Sequence, residues 1–377
     1  MSTVEPPEAD PPEPHEHDEE EMPRVQITRR GVVATVFFVV SAIAFLYFVL
    51  PQLADLEETG RRVGRGDRTW LVGGFVFSLL SFGGYVMMFQ GVFVRAGSLA
   101  GSRIDWRASY QITMAGLAAT RLLAAGGAGG IALTAWALRR AGMDRRMVAD
   151  KTLAFLILTY AVYMGALVVV GFGLYFNILP GPAPFAITVL PALFGLAAIG
   201  LGLALSRVPP DLQGRLEGFA RRGGRLARLA QRAANAPAAF SSGMREALGH
   251  VRERDPALLG ALAYWGFNIA VLWACFHAFG DPPPWPVIVM AYFVGFLGNL
   301  LPLPGGIGGV DGGMIGAFAA FGVPLGLAVP AVLAYRFFAF WLPTVPGAIA
   351  YFQLRRTVAR WREERGGRSD LAATARA

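Results

Sequence analysis

The sequence predicts an all-α polytopic membrane protein. It reads as about six full transmembrane helices plus two broken or re-entrant helical hairpins, arranged as an inverted repeat. Three observations predict this. Long apolar stretches without charge recur along the chain, each near the ~20 residues that span a bilayer as a helix. The loops between them are either Arg-rich or bare. Two glycine-rich breaks of similar sequence interrupt two further apolar segments.

Of 377 residues, 54% are hydrophobic and only 16% are charged, against ~25% charged in a soluble domain. The apolar stretches are 31–50, 70–94, 155–175, 185–205, 257–279 and 325–354, the last interrupted only by Arg336. A soluble helix of such length needs a polar face, and these have none. That excludes a soluble globular protein.

Charge sets the orientation. The first 22 residues hold nine acids and no Lys or Arg, and 34 basic against 17 acidic groups remain beyond them. Residues 1–28 read as a disordered, acidic, Pro-rich tail rather than a signal peptide, whose n-region would be basic. Arg29 and Arg30 precede the first span, Arg139, Arg140, Arg145, Arg146 and Lys151 precede the third, and residues 206–255 hold ten Arg. By contrast 176–184 carries no charge and 280–286 a single acid. Basic loops stay in the cytoplasm, so both termini are expected there, in a multi-pass protein of the cell membrane. Loop 51–69 is then external despite its four arginines. The transmembrane domain is expected over 29–356, and residues 357–377 as a basic flexible tail. Within 206–255, residues 211–233 place Leu212, Leu216, Phe219, Leu226 and Leu229 on one helical face and arginines over much of the rest. That pattern is an interfacial amphipathic helix.

Parity makes the breaks informative. Arg107 and Arg139 are both cytoplasmic, and the apolar chain between them is interrupted at 125–130. Pro286 and Val323 are both external, and the chain between them is interrupted at 302–309. Each half is too short to cross comfortably at ~1.5 Å per residue. AAGGAGGIAL at 124–133 resembles LPGGIGGVDG at 303–312, and each is followed by a small-residue helix with a glycine near its end, Gly142 and Gly322. Like segments with opposite entry sides form an inverted repeat, which puts a substrate site near the midplane. The other reading is that the glycines only allow helices to pack closely.

The candidate site residues are Gly305, Gly306, Gly308, Gly309, Asp311, Arg336, Arg121 and Asn299. A helix that begins in mid-membrane offers free N–H groups and a positive dipole end, an anion site suited to phosphate. Glycines let a ligand approach that backbone. Asp311 lies in the first turn of the second half-helix and reads as a helix cap, an ion carrier or a partner of Arg336. Arg336 reads as the other half of an ion pair or as a phosphate clamp. Arg121, just before the first break, could mirror Arg336, and Asn299, just before the second, could hydrogen-bond a ligand. No catalytic group, cofactor or metal is expected. Cys275 stands alone with His277, and His15 and His17 alternate with carboxylates in the tail; neither makes a metal site.

LPLPGGIGGVDGG at 301–313 and YRFFAFWLPTVPGAIAYFQLRR at 335–356 resemble the transmembrane domain of lysylphosphatidylglycerol synthases, including stand-alone members. The resemblance runs from about Gly31 to Arg356. It implies translocation of lipid between leaflets, with the separate aminoacyl-transferring domain absent. The first break departs from the family pattern: AAGGAGGIAL lacks the expected Pro and Gly-Glu, so no carboxylate role carries into the first hairpin. The expected function is flippase-like movement of a phospholipid or polyprenyl-phosphate-linked lipid. The alternatives are an ion-coupled carrier of a small solute and a non-transporting scaffold for an envelope-lipid enzyme. Expected partners are membrane lipids with anionic head groups, not nucleic acid. A homo-oligomer and a separate lipid-modifying enzyme stay open as partners.

Overall fold

The computed structural model describes residues 66–94, 104–122, 128–207, 240–300, 306 and 308–374. The expected span at 31–50, most of loop 51–69, the amphipathic stretch 211–233 and Gly305 lie outside the described residues. Among the described residues all regular structure is helical. In chain order the helices are α1 (Arg68–Phe93), α2 (Trp106–Leu122), α3 (Ala128–Arg140), α4 (Arg145–Tyr175) and α5 (Phe185–Ser206). There follow α6 (Pro256–Phe279), α7 (Trp285–Phe296), α8 (Gly309–Ala320), α9 (Leu325–Arg336) and α10 (Leu342–Thr374). Residues 240–252 are also helical.

Among the described residues, five stretches are long and apolar enough to cross a membrane: α1, α4, α5, α6, and α9 with the first part of α10. The protein is therefore a multi-pass membrane protein. Its outer surface agrees: Val72, Val76, Leu79, Leu190, Leu196, Leu201, Leu262, Val345 and Ile349 are all exposed. Lipid is as apolar as these side chains, so in a bilayer they cost nothing.

Where lipid supplies no hydrophobic drive, helices associate through small residues. α1 and α6 do so along their length. A Cβ on Gly260 would lie 2.5 Å from the backbone N of Met88, and one on Gly91 would lie 2.7 Å from the Ala257 Cβ. Polar side chains stitch the same seam: Ser81 Oγ donates to Tyr264 O at 2.9 Å, and Asn268 Nδ2 donates to Ser81 Oγ.

The short helices form two hairpins, α2–α3 and α7–α8. At ~1.5 Å per residue none of the four reaches the ~30 Å of a bilayer core; α3 has 13 residues and α7 and α8 have 12 each. Each hairpin anchors its own core. Ile112, Ala115, Leu133 and Leu138 are buried in one, and Met290, Phe293, Met314 and Phe318 in the other.

The hairpins leave through the same turn. After α3, Gly142 sits at φ +103° and Met143 N donates to Leu138 O at 3.1 Å. After α8, Gly322 sits at φ +82° and Val323 N donates to Phe318 O at 2.9 Å. This is the Schellman closure, whose left-handed residue is most easily glycine. The packing is reciprocal as well. α1 lies against α6, hairpin α2–α3 against α10, and hairpin α7–α8 against α4. Each hairpin thus packs on the long helix that follows the other one, as a pair of related repeats requires.

Two features differ from the sequence expectation. α4 begins at Arg145, ahead of the apolar run, and takes Lys151 into the protein. Lys151 is 5% exposed, and its ammonium donates to Val92 O at 2.6 Å and lies 3.6 Å from Glu246. Lys151 therefore satisfies a carbonyl at the end of α1 and is not a loop charge. Residues 357–377 were expected as a flexible tail. Instead α10 continues to Thr374, Val358 and Trp361 are buried, and Thr357 Oγ1 donates to Gln111 Oε1 at 2.8 Å. The helix continues because α2 offers it a surface to pack on.

Candidate functional site

The second break begins at the end of α7. Its last turn tightens to a 3₁₀ turn, Leu297–Leu300. Leu297 N then bonds Gly295 O and Val294 O, so Phe293 O loses its usual donor four residues on. Tyr163 Oη of α4 donates to that carbonyl instead, at 2.7 Å. Asn299 lies in this turn, beside Gly306. Gly306 has φ +65°, and a Cβ there would run into Asn299 Oδ1. Gly308, at φ +81°, caps α8, and Gly309 opens it. A Cβ on Gly298 would collide with the Gly309 carbonyl, so these glycines also serve the packing reading. The two readings are compatible.

Asp311 is the third residue of α8 and is 7% exposed. Its Oδ2 accepts from Gly308 N at 3.1 Å. The chain's own carboxylate therefore occupies the positive end of this half-helix. Its Oδ1 makes an ion pair with Nε of Arg336, which is 8% exposed. The cap and the ion-pair readings of Asp311 are both realised. The neighbouring residue reinforces the link: Tyr335 and Tyr292 share a hydroxyl hydrogen bond of 3.1 Å. α9 is thus fastened to both arms of hairpin α7–α8 by consecutive residues.

Arg336 does not sit in a regular helix interior. It ends α9, and Phe337–Trp341 forms a π-helical turn before α10. Leu342 N donates to Phe337 O, five residues back, so Phe338 O loses its ordinary donor. Ser78 Oγ of α1 donates to it at 2.9 Å. The next carbonyl, Ala339 O, would look to residue 343, which is proline and has no N–H. Arg121 supplies the missing bond: Nη2 donates to Ala339 O and Nη1 to Phe340 O, both at 2.9 Å.

Arg121, from hairpin α2–α3, and Arg336, from the end of α9, therefore meet at one place. Their guanidinium carbons lie 5.1 Å and 4.6 Å from the Phe340 ring centroid. Such stacking suits a cation in a dry site. Arg121 does not mirror Arg336; it holds the turn that follows Arg336. With Asp311, the ionisable groups here are two cations and one anion, so the described part of the centre carries an excess positive charge.

Of the expected residues, the structure brings Asp311, Arg336 and Arg121 together and places Asn299, Gly306, Gly308 and Gly309 around the break. Sequence reasoning missed Ser78, Tyr292, Tyr335 and Phe340 as parts of this centre. Pro343 was the available signal, since a proline strips the donor from the carbonyl four residues earlier.

Comparison with known proteins agrees with this architecture. Residues 32–347 match the family described as the lysylphosphatidylglycerol synthase TM region. Three UPF0104 membrane proteins of Methanothermobacter thermautotrophicus are similar. One is 24% identical over 345 residues, 86% of this chain and 96% of the relative. The other two are 32% identical over 112 and 117 residues, in each case 29% of this chain. Those two matches cover 32% and 35% of the relatives' lengths, so the chain spans about a third of each.

Proposed function

The chain belongs to the lysylphosphatidylglycerol synthase TM-region family, and from that premise we propose that it carries a phosphate-bearing lipid between the two leaflets of a cell membrane. The observation that carries the proposal is the buried Asp311–Arg336 pair at the tip of a broken hairpin, with Arg121 arriving from the other hairpin. Buried charges are expensive in a membrane and are kept where a pathway needs them.

The chemistry follows from charge. Arg336 offers a planar fork that fits phosphate bidentately. Its Nε pairs with Asp311 Oδ1. A phosphate diester entering beside Gly306–Gly308 competes with the carboxylate, and the excess positive charge favours its entry. Once Arg336 turns to the phosphate, Asp311 keeps its bond to Gly308 N and stays capped. The head group is then held between the hairpin tips while the acyl or prenyl chains remain in lipid. Two related hairpins entering from opposite sides give each leaflet an equivalent approach. We place the basic α3–α4 turn, with Arg139, Arg140, Arg145 and Arg146, on the cytoplasmic side together with both termini. The reading assigns these residues translocation and no aminoacyl transfer.

The test is a leaflet-resolved assay in proteoliposomes carrying head-group-labelled phospholipids or a polyprenyl phosphate. Protein-dependent exchange between leaflets is expected. Uptake of a small solute with no lipid movement would instead support the ion-coupled carrier.

A further inference from the structure

We infer that Arg121 is a positioning residue for Arg336. It acts through the π turn Phe337–Trp341 and couples hairpin α2–α3 to the acid–arginine pair held by hairpin α7–α8.

The turn leaves the last span with adjacent backbone acceptors that its own amides do not serve. The π register removes the donor from Phe338 O, and Pro343 removes it from Ala339 O. In a low-dielectric interior, an unserved carbonyl costs far more than in water. The turn therefore persists only while outside donors hold it, and those donors come from two other helices. Ser78 of α1 is 2% exposed and donates to Phe338 O. Arg121 of α2 spans Ala339 O and Phe340 O with two parallel N–H bonds. A planar fork suits two adjacent carbonyls, and the charge strengthens each bond. Thr344 Oγ1 also donates to Phe340 O, at 2.7 Å, so Ala339 O depends on Arg121 more than Phe340 O does.

The turn follows Arg336 directly. A helix rotates ~100° per residue, so the register of this turn sets the angle between Arg336 and the rest of α10. α10 is packed on α2, where a Cβ on Gly347 would lie 2.8 Å from Met114 O. With α10 fixed there, relaxing the turn to α register moves the α9 side, and Arg336 with it. Loss of the Arg121 bonds therefore changes how Arg336 meets Asp311. The first hairpin, which has no acid of its own, reaches the ion pair by this route.

For transport this role rests on the lipid-carrier reading; for backbone exchange it does not. The test is amide hydrogen exchange of the full chain in nanodiscs, comparing the wild type with Arg121→Gln, Arg121→Lys and Ser78→Ala. Arg121→Gln should speed exchange by about tenfold or more at the amides of residues 341, 342, 344 and 345, as expected for losing a charged hydrogen bond. It should also speed exchange at Gly308, which touches Asp311 and not Arg121, with α5 unchanged. Arg121→Lys keeps the charge but bridges one carbonyl at most, and should show the same pattern more weakly, as should Ser78→Ala. An unchanged Gly308 region, equal acceleration in α5, or no effect of Ser78→Ala at either place overturns the proposal. In the transport assay, Arg121→Lys should lower the maximal rate and leave half-saturation by lipid unchanged. A raised half-saturation would make Arg121 a direct lipid contact and overturn the positioning role. If the wild type moves no lipid, the carrier reading fails and the exchange data alone decide the role of Arg121.

Discussion

At the scale of single residues, the centre shows how a membrane protein handles atoms that lipid cannot serve. Breaks in the helices free carbonyls, and three of those freed near the centre have donors from other helices: Tyr163 for Phe293 O, Ser78 for Phe338 O, Arg121 for Ala339 O. Lys151 does the same for Val92 O. The Asp311–Arg336 pair obeys a related rule. Removing one partner strands the other, which typically costs about 3–5 kcal/mol, whereas replacing both with apolar residues is often neutral. Arg336→Met should therefore lower the thermal midpoint in detergent clearly, and adding Asp311→Leu should recover most of the loss. Equal destabilisation in single and double variants would mean the pair is not the link between α8 and α9. Asp311, Arg336, Arg121 and Asn299 were all visible in the sequence, because ionisable or polar residues stand out in apolar segments. Their partners were not. Ser78, Tyr292 and Phe340 are unremarkable side chains in membrane helices, and only tertiary packing gives them a role.

At the scale of elements, the glycines divide by what they touch. A Cβ on Gly130 would collide with the Gly116 carbonyl across hairpin α2–α3, and one on Gly295 would lie 2.8 Å from the Met314 backbone N across hairpin α7–α8. A Cβ on Gly312 or Gly316 of α8 meets nothing within 4 Å. Gly130→Ala and Gly295→Ala should thus destabilise by about 1–3 kcal/mol through overpacking, as measured by unfolding in detergent. Gly316→Ala should be neutral or stabilising by up to about 1 kcal/mol, since alanine is the better helix former. The reverse order would contradict the hairpin packing. The described spans and the interruption of both hairpins were legible because hydropathy and glycine runs report local backbone needs. The course of α10 beyond Leu354 was not. Its polar sequence reads as a tail until α2 provides Gln111 and the pocket for Val358 and Trp361.

At the scale of the whole molecule, the repeat is the main structural fact. The Gly142 and Gly322 turns close identically, yet one is flanked by four arginines and the other by none. The positive-inside rule predicts opposite sides of the membrane for them. Cys275 is buried, so a Cys275→Ala chain gives a clean background. In it, Met147→Cys should react with an impermeant thiol reagent only from the cytoplasmic side, and Gly326→Cys only from outside. Labelling of both from one side would rule out the inverted arrangement. The repeat was readable from sequence, but its asymmetry is sharper in three dimensions. One hairpin holds the acid–arginine pair, and the other holds the turn beside it.

The measurement that bears most directly on the account is leaflet-resolved lipid movement in proteoliposomes, with wild type, Arg336→Ala and Asp311→Asn at matched reconstitution. Protein-dependent movement is expected in the wild type, with near-complete loss in Arg336→Ala and a marked loss in Asp311→Asn. Wild-type rates in both variants would show that the hairpin-tip pair is not where lipid is handled.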